Sequence, residues 1–253
     1  ESLCWRFATR LVAVSSVQRD SIMQLYRIPE RRIDVVWNGV DRLPSSETPD
    51  FIKCYREQGR TVIGSINTLI PQKGMFDLLE VAARLKQQGQ RGHVFLVAGD
   101  GHLRAPLEER RRALGLEDEV VFLGWVQGAA GVMMDHIDIF YQPSLWEAMS
   151  IVLLEAMAAG RAIVTTRVGE TPLVVEPDTS ALLVDPGDIP AMADALGRLL
   201  DSSDLRVALG NAAAARYAVH FTARSMAERY MALYDTMLAS PTGAGAVRGN
   251  PLR

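Results

Sequence analysis

Cysteine is nearly missing from this sequence: Cys4 and Cys54 stand far apart in 253 residues. That excludes a disulfide scaffold and a cysteine-based metal site. Reduced, buried thiols in a cytoplasmic protein are the expectation. Long apolar runs are missing too, and none approaches the ~20 residues of a membrane span. No signal-peptide pattern is present. Neither sign of charge dominates. A net charge of −3 gives no general pull towards nucleic acid or anionic lipid. Histidine is scarce as well. His93, His102, His136 and His220 are the four, and none stands at a metal-like spacing from Cys or Asp. His136, in "MDHID", is expected at a strand edge. There is no Ser-His-Asp set, and neither a metal nor a cofactor is expected. No internal repeat is visible. An initial methionine is lacking: the chain opens on Glu1 in helix-like sequence. It is therefore read as a fragment without its N-terminal part, to which targeting signals or any membrane association would belong.

What is present is ordinary globular composition, 48% hydrophobic and 23% charged, in a length ample for one sizeable core. Short β-branched runs alternate with longer helical ones. "RLVAVSS" predicts a strand and a helix through Leu25, capped by Ser15 or Ser16. "RIDVVWNGVD" predicts a strand ending at the Asn38-Gly39 turn. The Pro-, Ser- and Thr-rich "RLPSSETPD" follows and reads as a linker. Six more strands are expected in "TVIGSIN", "HVFLVAG", "EVVFLGW", "IDIFYQP", "AIVTTRV" and "ALLVD". Helices are expected over 74–89, 102–114, 151–159 and 188–200, then from about Ser203 to Leu238. The small, polar tail from Ala239 is expected to be disordered. Apolar strands alternating with helices predict an α/β, doubly wound Rossmann-like parallel sheet. Ligands of such sheets bind beyond the carboxyl ends of the strands.

One stretch there is unusual. In "LWEAMSIVLLEAMAAG", Glu147 and Glu155 bracket seven mostly apolar residues. Glu147 falls in the loop after a strand. Ser150 is a good N-cap for a helix from Ile151, and Gly160 a good residue to end it. That helix is apolar nearly all round and should be buried, with Glu155 inside it. Residues 151 and 159 are Ile and Ala, so no cation one turn away can pair with Glu155. Two readings fit. The carboxylate accepts hydroxyls of a ligand whose phosphates sit at the helix start, or it meets a distant arginine, such as Arg167, in a structural ion pair. Lys73 also has two readings. A cation just before a helix N-terminus opposes the macrodipole unless both face a common anion, with Gly74 allowing close approach. Otherwise it is a solvated surface lysine.

Glu147 and Glu155, within "PSLWEAMSIVLLEAMAAGRAIVTTRVGETPLVV", resemble the E-x7-E motif of family 4 retaining glycosyltransferases, which have the GT-B fold. "LVAVSSVQRDSIMQLYRIPERRIDVVWNGVD" is similar to the end of that family's N-terminal domain. "TLIPQKGMFDLLEVAARL", "VFLVAGDG" and "VVFLGWV" resemble its Lys-Gly loop and next two strands. The resemblance implies a nucleotide-sugar donor, with Glu155 on the ribose, Glu147 on the transferred sugar, and the amides of Ser150, Ile151 and Val152 near the diphosphate. It implies Lys73 on that diphosphate, beside Gly74, and Trp125 near the base unless it is a core tryptophan. The acceptor would be a glycan, a lipid-linked sugar or a small molecule, held by an N-terminal domain mostly missing here. Residues 1–43 would be that domain's end, 44–220 the donor domain, and 221–238 a helix crossing back. The sequence departs from the family at Thr68, where an arginine usually contacts the phosphates. Asn67 likewise replaces a glycine. Arg167 is a possible substitute cation.

Weaker features have plainer readings beside functional ones. "AGDG" (98–101) is a tight turn or a phosphate cradle. The arginines of "EERRRALG" form a solvated face. Gly169 and Glu170 lie in a loop near the sugar in the family, or Glu170 is a helix N-terminal acid. Two other functions remain: a nucleotide-sugar 2-epimerase on the same fold, against which the glutamate pair and Lys-Gly loop speak, and a non-catalytic nucleotide-binding module, which Thr68 keeps open.

Overall fold

The computed structural model describes residues 8–44 and 47–239; Cys4 and the tail from residue 240 lie outside them. The chain begins with β1 (Leu11–Ala13), α1 (Ser16–Tyr26), a 3-10 turn (Glu30–Arg32) and β2 (Ile33–Val35). β1 and β2 pair in parallel as a small sheet of their own. Ser15 caps α1 by accepting from the Gln18 amide at 3.0 Å.

The main body then runs α2 (Asp50–Glu57), β3 (Thr61–Ile66), a 3-10 turn (Pro71–Lys73), α3 (Met75–Gln87), β4 (His93–Ala98), α4 (Arg104–Ala113), β5 (Val120–Gly124), α5 (Ala129–Met133), β6 (Ile139–Gln142), α6 (Ile151–Ala158), β7 (Ala162–Thr166), α7 (Thr171–Val174), β8 (Leu182–Val184), α8 (Ile189–Asp201), α9 (Ser203–His220) and α10 (Ala223–Ala239). The strand order is β5-β4-β3-β6-β7-β8, and every pair is parallel. The six predicted strands of the main sheet are these six.

β4 shows why such strands read as unbroken apolar runs. Phe95 and Val97 point into the core under α3, α4 and α8; Val94, Leu96 and Ala98 point into the core under α5, α6 and α9. Both faces are covered, so neither can be polar. The order reverses at β3, which has β4 on one side and β6 on the other. Crossovers diverge there and leave a crevice at the carboxyl ends of β3 and β6, where ligands of doubly wound sheets bind.

Two expectations change. Cys54 is exposed, not buried. α2 buries Ile52, and a residue two positions on faces the opposite side of a helix. That helix also begins inside the stretch read as linker. The helical stretch from Ser203 divides at Phe221 and Thr222, close to where the separate last helix of 221–238 is expected to begin. Phe221 is fully buried and its carbonyl accepts from the Val40 amide at 2.9 Å, while the Thr222 hydroxyl caps α10 by accepting from the Ser225 amide. A side chain added at Gly39 would lie 2.3 Å from the Thr222 carbonyl oxygen, so the Asn38-Gly39 turn is where the chain passes against this break.

Candidate functional site

Two loops meet at the switch point. After β3 the chain makes the 3-10 turn Pro71–Lys73. After β6 it runs through Pro143 to Ser150. The amides of Leu145 and Trp146 both donate to the Gln72 carbonyl, at 2.8 and 3.3 Å. Gly74 is in the left-handed region, at φ 63°, and a Cβ there would lie 1.9 Å from the Pro143 carbonyl oxygen. The close approach that glycine permits is thus between the two loops themselves. Helix α3 starts at Met75, one residue later than expected.

This stitching brings Lys73 onto Glu147. Nζ stands 2.6 Å from Oε1 of the buried Glu147. The same oxygen accepts from Ser144 Oγ at 2.8 Å and Gln142 Nε2 at 3.2 Å. Among the described residues no donor reaches Oε2. Gln142 Nε2 also donates to Ser150 Oγ at 2.9 Å, and that oxygen accepts from the Leu153 amide, capping α6. Ser150 is the N-cap the sequence predicts, and the amides of Ile151 and Val152 belong to the free first turn.

α6 buries Leu153, Leu154, Ala156, Met157 and Ala158, as an all-round apolar helix must. Glu155 is half-buried between them. Burial raises its carboxyl above the usual range, and among the described residues no hydrogen bond or ion pair compensates. Arg167 does not serve as its partner: its Nε lies 3.2 Å from Asp185 on the surface. Glu155 instead lines a crevice of about 370 Å³ with Val152, Asn67, Thr68, Gly99 and Trp125. Trp125 is 80% exposed, so the core reading fails for it. Thr68 is exposed at the end of β3, and Asn67 is buried with its amide on Ser65 Oγ.

The glycines of "AGDG" have a packing reason. A Cβ at Gly99 would lie 1.7 Å from the Asn67 carbonyl oxygen, and one at Gly101 would lie 2.5 Å from that of Leu69. The end of β4 is pressed against the end of β3, which is the tight-turn reading. His136 is buried in the turn before β6, 3.2 Å from Thr48 Oγ1. Among the described residues, no three His, Cys, Asp or Glu side chains are grouped to hold a metal ion. No helix among them is long and apolar enough to cross a membrane.

Glu170 lies in the loop after β7, as expected, but the helix end its carboxylate meets was not foreseen. It precedes α7 but does not cap it. Its buried carboxylate reaches back to α1 and accepts from the Ser16 amide and hydroxyl and from the Trp37 indole. The only sequence signal is an acid beside an apolar loop, which does not tell which helix end it meets.

The sequence and the fold are both matched in known proteins. Residues 49–216 match the family described as glycosyl transferases group 1. The chain belongs to that family. An alpha-D-kanosaminyltransferase of Streptomyces kanamyceticus is 27% identical over 90% of this chain and 61% of its own length. A D-inositol 3-phosphate glycosyltransferase of Corynebacterium urealyticum is 36% identical over 68% of the chain and 43% of its own. The chain spans about half the length of the curated relatives it matches. Among solved structures, Anabaena Alr3699/HepE in complex with UDP and glucose superposes with a TM-score of 0.82 at 22% identity, covering 91% of this chain and 64% of that one. WaaG, a glycosyltransferase involved in lipopolysaccharide biosynthesis, gives 0.74 at 21% identity over 87% of this chain and 61% of that one. The fold of this group 1 member is that of the GT-B glycosyltransferases.

Proposed function

We propose that this chain is the nucleotide-sugar-binding half of a retaining glycosyltransferase that transfers a hexose to an acceptor hydroxyl. The observation that carries the reading is Glu155: a half-buried carboxylate with no partner, lining a crevice one turn from the start of α6. An uncompensated carboxylate costs stability. A pair of ribose hydroxyls would satisfy it while the diphosphate lies on the free amides of Ile151 and Val152.

Glu147 is the sugar-side residue of the proposal. Three donors crowd Oε1, and Oε2 remains for a hydroxyl of the transferred sugar. Lys73 faces the same space and would stabilise charge as the diphosphate leaves. In the transfer, the bond from the sugar's anomeric carbon to the diphosphate oxygen breaks and a bond to the acceptor oxygen forms on the same face. The acceptor proton passes to the departing phosphate oxygen. Lys73 and the α6 amides supply the positive field, and the proposal involves no metal or cofactor. The neutral Thr68 leaves Lys73 as the main cation, because Arg167 is engaged with Asp185.

Trp125 would flank the base. HepE binds UDP, which favours uracil as the first base to test. The acceptor is proposed to be a glycan, a lipid-linked sugar or a small molecule held by an N-terminal domain. Residues 1–43 would be that domain's end, 44–220 the donor domain and 221–238 the returning helix. Support comes from α10, where Met226 Sδ accepts from the Gly39 amide and Arg229 lies over the Trp37 ring. The relatives named above are transferases, and the epimerase reading gains no support.

Saturation-transfer NMR with UDP, GDP and ADP on this chain, beside a turnover assay with the best donor, tests the proposal. Binding of one nucleotide without sugar transfer is expected, since the acceptor wall is not in this chain. Binding of none refutes the donor site; transfer by this chain alone refutes the need for a further domain.

A further inference from the structure

Glu170 is not part of the donor crevice, yet its surroundings lead straight back to Glu147. The carboxylate is 1% exposed. Oε2 accepts from the Ser16 amide at 2.9 Å and its hydroxyl at 2.8 Å; Oε1 accepts from Trp37 Nε1 at 2.8 Å. Ser16 opens α1, so the carboxylate also meets the positive end of that helix. All three donors belong to the segment before the main sheet. On its other side, the Glu170 amide donates to the Ala148 carbonyl at 3.0 Å. Gly169, at φ 52°, comes so close to the Glu147 carbonyl oxygen that a Cβ would lie 1.9 Å from it. The loop after β7 is therefore clamped between α1 and the Glu147 loop. A second contact closes the ring: the Asn38 amide donates to Met149 Sδ at 3.3 Å. Trp37 is itself held, with Phe221 at 5.6 Å between ring centroids and the Arg229 guanidinium 5.5 Å over its face.

A buried carboxylate with three donors is expensive to place unless its geometry is fixed. We propose that Glu170 is a positioning residue for sugar transfer, locking the 147–150 loop, and hence the sugar-side carboxylate of Glu147, to the Ser16–Asn38 segment. This rests on the donor-site reading above. That segment carries α1 and β2, so the position of Glu147 depends on how it sits. The nucleotide contacts at Glu155 and Val152 lie on α6, beyond the clamp, and do not share that dependence.

The test uses this chain with UDP and UDP-glucose as probes. Glu170→Gln keeps the volume but turns an amide NH2 towards a donor. Trp37→Phe removes the indole N–H together with part of the ring, and leaves a smaller phenyl ring to pack against Phe221. Displacing Glu147 should weaken UDP-glucose about tenfold in Glu170→Gln while UDP stays within about twofold, with a smaller change of the same sign in Trp37→Phe. Backbone amide resonances of Glu147 to Ser150 should shift in both variants, although neither substitution touches that loop. If both ligands weaken equally, or only the melting temperature falls, Glu170 is structural and the proposal is overturned. Amide changes confined to the neighbourhood of residues 16, 37 and 170 overturn it too. Wild-type protein that binds neither ligand refutes the donor-site reading instead, and the amide shifts still decide whether the clamp reaches Glu147.

Discussion

Lys73 Nζ and Glu147 Oε1 stand 2.6 Å apart and join the loops that follow β3 and β6, the two strands flanking the point where the sheet order reverses. Ser144 and Gln142 donate to the same oxygen from the β6 side, so the carboxylate is held by its own strand and loop as well as by the lysine. On the proposed donor site, a diphosphate arriving there would compete with Glu147 for the lysine.

Replacing Lys73 with Ala should therefore weaken UDP much more than uridine. Loss of a charge-assisted contact corresponds to about 1.5–3 kcal/mol for the diphosphate. Isothermal titration with both ligands checks this. Equal losses would take Lys73 off the phosphates.

Glu155→Gln should separate affinity from stability. The carboxylate is raised by burial and unpaired, so removing its charge at neutral pH relieves the folded protein. The melting temperature should hold or rise by about 1–2 °C, while uridine affinity falls by about 1.5 kcal/mol. A large drop in melting temperature would instead mark a structural ion pair.

The same shift gives a pH dependence. Hydroxyl groups donate to the ionised carboxylate, and the raised value means Glu155 protonates at a higher pH than an ordinary glutamate. Uridine has no phosphate to titrate. Its affinity should fall as pH drops through that raised value, and the fall should vanish in Glu155→Gln. A wild-type profile that is flat down to the ordinary glutamate range would refute the assignment.

Gly74→Ala tests the loop junction. The new methyl would strike the Pro143 carbonyl, and the left-handed backbone adds strain. A loss of about 1–3 kcal/mol in stability is expected, with UDP affinity falling as the turn that carries Lys73 is displaced. Thermal melting and titration on the same samples measure both.

Much of this was legible beforehand for identifiable reasons. The strands were readable because a sheet covered on both faces forces apolar runs, as in β4. The Ser150 cap and Glu155 were readable because capping and helical spacing are local. Lys73 meeting Glu147 was not: the residues are 74 apart, and their contact depends on Gly74 fitting under Pro143. Cys54 was misread because composition says nothing of which side of α2 faces inwards. A separate last helix from about residue 221 was expected from the resemblance, but its physical cause, the Phe221 carbonyl leaving the helix ladder for Val40, was not legible. Glu170 reaches Ser16 across 154 positions, and no local pattern announces that.

The meeting of Val40 and Thr222 has one more consequence. The chain enters the six-stranded body and leaves it at adjacent points, with the Val40 amide on the Phe221 carbonyl and the Ala223 amide on that of Val40. The body hangs from a doubled stem, like a bead on a folded thread. New termini could be cut elsewhere and residues 40 and 222 joined by a short connector, with the whole sheet left in one piece. Any swing of the body must also bend both strands of the stem at a single level.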